Sequence, residues 1–448
     1  MGNYSVTDLL NKTVSCSCGQ IHSSKVEQVV IREKAMECLP ELMAHYGYKK
    51  AYIICDVNTW EAAACQVNDI LRSAGFATLV CKLQDRELVP DEKALGYVAM
   101  QYDPSCDVII GVGTGVINDT GKFFSHRLKM PYFIVATAPS MDGFASTGAA
   151  LISENLKTTY NAHVPQAIIG PVEVLANAPM DMISAGLADI LGKFTCLTDW
   201  NIAREVNGEY YCPYIEDLVR ASLKKVMDNA PLAAQRNHTA IANIMEALVV
   251  TGIAMEYAGN SRPASGSEHH LSHYWEMQYQ AQGRKAVLHG TKVGIGTVAI
   301  TWLYNKLKDT AVDFDAVKEN ISFDFESWKE KMTAAYGVSA PGVIALEEKA
   351  GKNAPAGRLQ RIERARLNWE SLQKMIGEMI PAVEVMEQTL SRLDGAIRPQ
   401  QVGIDRDMFL DSVRYAKEVR DRYTVLQLLW DLGLMEQFAR ELTEYMYS

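Results

Sequence analysis

Gly266-Ser-Glu-His-His-Leu-Ser-His273 and Leu288-His-Gly290 hold four of the chain's nine histidines. His269 and His273 stand at i and i+4, a spacing that projects both imidazoles from one face of a helix. His289 follows sixteen residues on, ahead of Gly290 and the apolar run Val293-Gly-Ile-Gly-Thr-Val-Ala-Ile-Thr301. A catalytic divalent cation needs two or three such nitrogens, a carboxylate and one open position. That is Lewis-acid chemistry, suited to a carbonyl or an alcohol. The same pair would equally serve as a solvated helix face or a hydrogen-bonded core pair.

Three more stretches carry polar groups where a ligand could meet them. Asp107-Val-Ile-Ile-Gly-Val-Gly-Thr-Gly-Val-Ile-Asn-Asp119 reads as a strand, a glycine-rich turn and a helix. Its glycines let a ligand approach the backbone, and the helix start offers free N–H groups to a phosphate. The spacing is not that of the G-x-G-x-x-G fingerprint, and such a turn can also be purely structural. Asp56 ends the run Ala51-Tyr-Ile-Ile-Cys55. A carboxylate there can accept from an adenosine ribose and repel a 2′-phosphate, or it can simply cap the next helix. Ala136-Thr-Ala-Pro-Ser-Met-Asp-Gly-Phe-Ala-Ser146 follows another strand, with Thr137, Ser140, Asp142 and Ser146 along a Pro/Gly loop. Lastly, Ser184-Ala-Gly-Leu-Ala-Asp-Ile-Leu-Gly192 sets Asp189 among small and apolar residues. A carboxylate so placed is costly unless it is paired or ligating. With His269 and His289 it makes an Asp/His/His set.

The elements that must position these groups alternate at first. Residues 51–55, 77–81, 107–112 and 132–137 are short β-branched runs, separated by enough chain for crossover helices such as 58–74 and 90–102. Non-alternating strands joined by helices predict a Rossmann-like parallel sheet with helices on both faces. Beyond Val172 the segments 181–204, 215–229, 238–256, 268–282 and 408–447 all read as helices. The expected organisation is an α/β dinucleotide-binding domain over 1–170 and an all-α metal- and substrate-binding domain over 171–448. Residues 351–357 predict a loop, and Arg358, Arg361, Arg364 and Arg366 a solvated helix face.

Composition bounds the class. The chain has 448 residues, 48% hydrophobic and 22% charged, with a net charge of −10. That charge speaks against a nucleic-acid surface. We expect no bilayer-spanning run, and the N-terminus has no basic region followed by an apolar core. Nine cysteines without a regular framework predict a reducing compartment, hence the cytoplasm. Cys16-Ser-Cys18-Gly-Gln-Ile-His22 could offer three soft ligands. Its spacing is unusual for structural zinc and no second pair follows nearby, so a tight turn is the expectation.

The ordered set of motifs resembles the glycerol-1-phosphate dehydrogenases. In chain order these are Asp56, the glycine-rich turn with Asp119 and Lys122, Thr-x-x-Ser-x-Asp-Gly-x-x-Ser, Gly-Leu-Ala-Asp, Ser-Glu-His-x-x-Ser-His and Leu-His-Gly. The wider superfamily holds iron-type alcohol dehydrogenases, glycerol dehydrogenase and dehydroquinate synthase. The likeness covers roughly residues 25 to 305, and the Cys-x-Cys-Gly opening and helical tail are similar to the bacterial branch. It implies a dehydroquinate-synthase-like fold that reduces dihydroxyacetone phosphate reversibly to sn-glycerol 1-phosphate with NAD(H) or NADP(H). It further implies one divalent ion (zinc first, with nickel or iron as alternatives) on Asp189, His269 and His289. Asp142, Asp189 and His273 would touch substrate, His273 relaying a proton. Gly115, Val116, Ile117, Asn118, Asp119, Thr137, Ala138, Pro139, Ser140 and Ser146 would line the cofactor, with Asp56 at the ribose. His270 competes with His269, and the motif favours His269. Lys122, Arg262 and Lys292 are candidates for the substrate phosphate, and a homodimer is implied by analogy. The alternatives are a polyol dehydrogenase or dehydroquinate-synthase-like enzyme, or a non-catalytic metal- or nucleotide-binding relative.

Overall fold

The computed structural model describes residues 5–153 and 156–448. Met1 to Tyr4, the start of the segment read for a targeting signal, lie outside them. The chain forms two compact units, Met1–Ile190 with Tyr214–Asn260, and Leu191–Pro213 with Ser261–Ser448.

The first unit opens with the hairpin β1 (Thr13–Ser15) and β2 (Ile21–Ser23). The sheet strands are β3 (Gln28–Arg32), β4 (Lys50–Asp56), β5 (Ala77–Leu83), β6 (Val108–Gly113) and β7 (Tyr132–Ala136). A second hairpin, β8 (Gly148–Ser153) and β9 (Leu156–Asn161), precedes the last strand, β10 (Ala167–Pro171). The sheet order is β3-β10-β7-β6-β4-β5, and all its pairings are parallel. Side chains alternate across a strand, so Ile53, Val108, Ile110, Phe133, Val135 and Ile169 share one packed face. Tyr52, Ile54, Ile109, Tyr132, Ile134 and Ile168 are as fully buried on the other. Burial on both faces explains the unbroken apolar runs, each such side chain contributing about 1.5–3 kcal/mol.

The four strands expected from the sequence are present. β3 and β10 were not expected, being short and broken by Gln28, Gly170 and Pro171. After β10 the chain is helical to its end. One expectation is corrected: helix His238–Ala258 is long and apolar enough, by length and composition, to cross a membrane. Most of it is buried in the protein interior, and it packs on β2, β3 and the turn Asp142–Ala145, as a core helix does.

The second unit is built around the paired helices Ser267–Ala281 and His289–Leu307. Gly296 lets them approach, since a Cβ there would stand 2.6 Å from the Glu268 carbonyl oxygen. The tail expected as one helix over 408–447 is instead Arg406–Tyr415, Val425–Asp431 and Met435–Tyr447. Backbone N–H groups in the break find acids elsewhere: Tyr423 N donates to Glu209 Oε1 at 3.2 Å, and Val425 N to Asp199 Oδ1 at 2.6 Å. The arginine run is also corrected in part. Arg358 and Arg361 are buried, Arg361 clamping the Asp431 carboxylate at 2.7 and 2.8 Å. Apolar walls desolvate both guanidinium groups, so each needs the acceptors it has found.

Candidate active site

The histidine helix is fixed at its first turn by buried acids. Ser267 donates from N and Oγ to Asp199 Oδ2 at 2.7 and 2.6 Å, and Tyr304 donates to Oδ1 at 2.6 Å. Burial, reinforced by the charge of Glu268, pushes Asp199 up to about 6 despite these bonds. Glu268 accepts from Gly266 N at 2.7 Å and Thr195 Oγ1 at 2.6 Å. Burial alone would raise its pKa, but the hydrogen bond and charge of His269 outweigh it and hold Glu268 low.

Glu268 Oε1 lies 2.7 Å from His269 Nδ1. A carboxylate can only accept, so Nδ1 carries the proton and Nε2 keeps its lone pair. The sequence reading passed over this residue, although Glu268 sits beside His269 in the motif itself. Three imidazoles then converge, with ring centroids 5.1 Å apart for His269 and His289 and 6.2 Å for His273 to each. His270 points elsewhere. It is fully buried, neither ring nitrogen finds a partner among the described residues, and burial holds it neutral.

Asp189 lies on helix Met180–Ile202, wholly buried, its Oδ2 accepting from Asp142 N at 3.0 Å. One turn on, a Cβ built on Gly192 would stand 3.3 Å from the Glu268 side chain, and Thr195 donates to the Glu268 carboxylate. One donor atom each from Asp189, His269 and His289 falls within 4.8 Å of the others. One carboxylate and two imidazoles, one of them with its tautomer fixed, suit a divalent ion such as zinc.

The expected cofactor residues gather at the carboxyl ends of β4, β6 and β7. The chain steps from β4 outward to β5 and returns to β6 on the other side of β4, which makes a topological switch point. Gly115 opens helix Gly115–Leu128, and a Cβ built there would meet only the Met141 side chain, at 3.7 Å, among the described residues beyond its own helix turn. Thr137 N donates to Gly113 O at 3.1 Å, tying the 137–140 loop to the glycine-rich turn. Pro139 abuts Gly186 so closely that its carbonyl oxygen would overlap a side chain. Asp56 caps the next helix, Oδ1 accepting from Asn58 N and Thr59 N at 2.8 Å each. Val116, Ile117 and Asn118 form the first turn of the Gly115 helix, with Asn118 Nδ2 bonding Gly143 O at 3.2 Å. Asp119 Oδ2 accepts from Ala150 N at 3.2 Å, and Ser146 Oγ donates to Gly143 O at 3.1 Å. Ala138 and Ser140 are buried in the loop between.

The cations expected to meet a phosphate have internal work. Buried Lys122 donates to Gly143 O at 3.0 Å and Ser146 O at 3.2 Å. Arg262 bonds Tyr423 O at 2.9 Å and pairs with Glu209, and Lys292 pairs with Glu276 at 3.3 Å. Arg420, which the sequence reading missed, has no acidic partner among the described residues, and its charge lowers His273 and His270. Burial, helped by Arg420 and His269 and opposed by Glu276, brings His273 down to about 4. That direction favours the neutral imidazole near pH 7.

Residues 30–179 match the family model described as iron-containing alcohol dehydrogenase. The chain is 32% identical to a protein named glycerol-1-phosphate dehydrogenase [NAD(P)+] from Geobacillus stearothermophilus, covering 97% of this chain and all of that one. A protein of the same name from Geobacillus thermodenitrificans is also 32% identical, over 97% and 100%. Among solved structures, an iron-containing alcohol dehydrogenase from Corynebacterium glutamicum superposes with a TM-score of 0.61 at 14% identity, over 95% of this chain and 96% of that one. That likeness speaks for the fold.

Proposed function

The chain belongs to the glycerol-1-phosphate dehydrogenase family, and from that premise we infer that it interconverts dihydroxyacetone phosphate and sn-glycerol 1-phosphate with NAD(H) or NADP(H). The observation that carries the assignment to particular residues is the convergence of Asp189, His269 and His289 on donors within 4.8 Å. Bound there, a divalent ion supplies Lewis-acid polarisation of the ketone, and the nicotinamide supplies the hydride.

The chain's own groups do the rest. Glu268 keeps His269 in the tautomer that offers Nε2, and the Asp142 backbone N–H steadies Asp189. Asp142 and Asp189 reach the substrate hydroxyls. His273, neutral, orients the substrate by a hydrogen bond; it is too weak a base to serve as an imidazolium acid near pH 7. Residues Gly115 to Asp119 receive the pyrophosphate at a helix start, while Thr137 to Ser140 and Ser146 line the nicotinamide half. The carboxylate of Asp56, beyond its capping bonds, meets the ribose. In this reading residues 1–170 bind the dinucleotide and 171–448 the metal and substrate.

Arg420 takes the substrate phosphate, since the other candidate cations are held in internal contacts. Arg420→Ala is expected to raise KM for dihydroxyacetone phosphate about 10-fold or more while leaving KM for NADH near the wild-type value. An unchanged KM for the phosphorylated ketone would reassign that role. The protein acts in the cytoplasm, and a homodimer through its helical tail is the assembly to look for by sedimentation.

The deciding assay is NADH oxidation with dihydroxyacetone phosphate after chelation and reloading with zinc, nickel or iron separately. A rate restored by metal, with the 1-phosphate enantiomer as product, is the expected result. Turnover of glycerol but not of the phosphorylated ketone would move the chain to the polyol dehydrogenases.

A further inference from the structure

The hairpin that opens the chain carries a second set of ligand-grade donors, chemically unlike the first. β1 and β2 pair with Val14 opposite His22, and the turn between them closes through Cys16 N to Gln20 O and Gly19 N to Cys16 O, each 3.0 Å. Gly19 takes φ +84°, which a side chain would strain. The tight turn expected here is present, and it presents Cys16 and Cys18 on the same loop as His22. Cys18 Sγ lies 3.3 Å from His22 Nε2.

His22 is held as a ligand would be. Its Nδ1 lies 3.0 Å from the Tyr257 carbonyl oxygen, which can only accept, so Nδ1 carries the proton and Nε2 the lone pair. The ring is 1% exposed and stacks on Tyr257 and Tyr214, at 5.5 and 6.2 Å between centroids. Two residues before Tyr214, at the mouth of helix Pro213–Ala233, stands the fully buried Cys212. Donor atoms of Cys16, Cys18, His22 and Cys212 all lie within 4.8 Å of one another. Tetrahedral zinc, with Zn–S about 2.3 Å and Zn–N about 2.0 Å, asks for ligand atoms roughly 3.3–3.8 Å apart. None of these cysteines is in a disulfide.

We propose that Cys16, Cys18, His22 and Cys212 form a structural Cys3His zinc site, separate from the Asp189/His269/His289 set. Three thiolates and an imidazole close a tetrahedron and leave no open position, so the ion serves structure. Loading releases the thiol protons to solvent. Its effect is to tie the N-terminal hairpin to Cys212, closing a chain loop with 189 residues between His22 and Cys212. Softness sorts the two sites, because thiolates favour zinc strongly whereas the carboxylate–imidazole set also accepts harder ions.

The test loads the metal-free full-length protein with cobalt(II) alone. Two equivalents should bind, with a thiolate-to-cobalt charge-transfer absorption that the oxygen and nitrogen donors of the other set cannot produce. The His269→Ala variant should keep that absorption while losing turnover. Cys16→Ser with Cys212→Ser should lose the absorption and one equivalent, and retain turnover within about threefold. One equivalent and no thiolate absorption in the wild type would overturn the proposal, whether or not the cysteine variants fold. So would an absorption that survives the double substitution, or a disulfide among these cysteines in protein purified with zinc.

Discussion

At the scale of single residues, the chemistry depends on groups that do not touch the reacting atoms. Glu268 is the sharpest case, since its hydrogen bond fixes which nitrogen His269 can offer. Glu268→Gln puts a neutral amide against Nδ1 and removes that control. Divalent-ion affinity is expected to fall about 10- to 100-fold, measured by competition with a chelator. Affinity unchanged from wild type would mean the tautomer is set otherwise. His273 gives a second residue-scale prediction. With its pKa brought to about 4 from the ordinary 6.5, chiefly by burial, the ring stays neutral until well below physiological pH. The acid limb of kcat/KM should show no inflection near 6.5 that His273→Asn removes. Such an inflection would restore His273 as a titrating acid. The Asp189, His269 and His289 set was legible in the motifs; Glu268 as tautomer holder and Arg420 as a cation without an acid partner among the described residues were not, because both depend on through-space neighbours.

At the scale of elements, close approach of backbone decides where the site residues end up. Gly186 on the Asp189 helix lies against the Pro139 carbonyl, in the loop expected to meet the cofactor. Gly186→Ala should push that loop away, raising KM for NADH several-fold and costing about 1–3 kcal/mol of stability by denaturant titration. A variant with unaltered cofactor KM would show that the loop does not set the cofactor's position. The four central strands were readable because burial on both faces leaves unbroken apolar runs. β3 and β10 were not, being short and carrying polar, glycine or proline residues. The break between Tyr415 and Val425 was also hidden, since no proline or glycine marks it. Glu209 and Asp199 draw the backbone N–H groups out of helical pairing.

At the scale of the whole molecule, acid stability rests on buried, paired charges such as Glu418 with Lys417 and Lys352. Burial alone would raise the pKa of Glu418, but the ammonium groups of Lys417 and Lys352 overcome it and hold the group at about 2, against an ordinary 4.5. A depressed carboxylate contributes stability that is fully present above the unfolded value and lost as pH falls through the folded one. The wild type should therefore lose stability progressively from about 4.5 towards 2. Glu418→Gln should flatten that window. At neutral pH it should be less stable by about 3–5 kcal/mol, because it strands buried Lys417. Equal acid sensitivity in both proteins would place the titrating group elsewhere.

The sequence by itself determined the parallel-sheet class, the helical second half and the Asp/His/His set, because periodicity and motif spacing are local properties of the chain. It also showed Cys16, Cys18 and His22 as three candidate soft donors, in a segment read as a tight turn. Only tertiary structure decided that the fourth is Cys212, that Lys122, Arg262 and Lys292 are occupied, and that Arg358 and Arg361 turn inward. The physical reason is common to all of these. Burial fixes the cost of a charge or thiol, and its partner's position is set by packing between segments far apart in the chain.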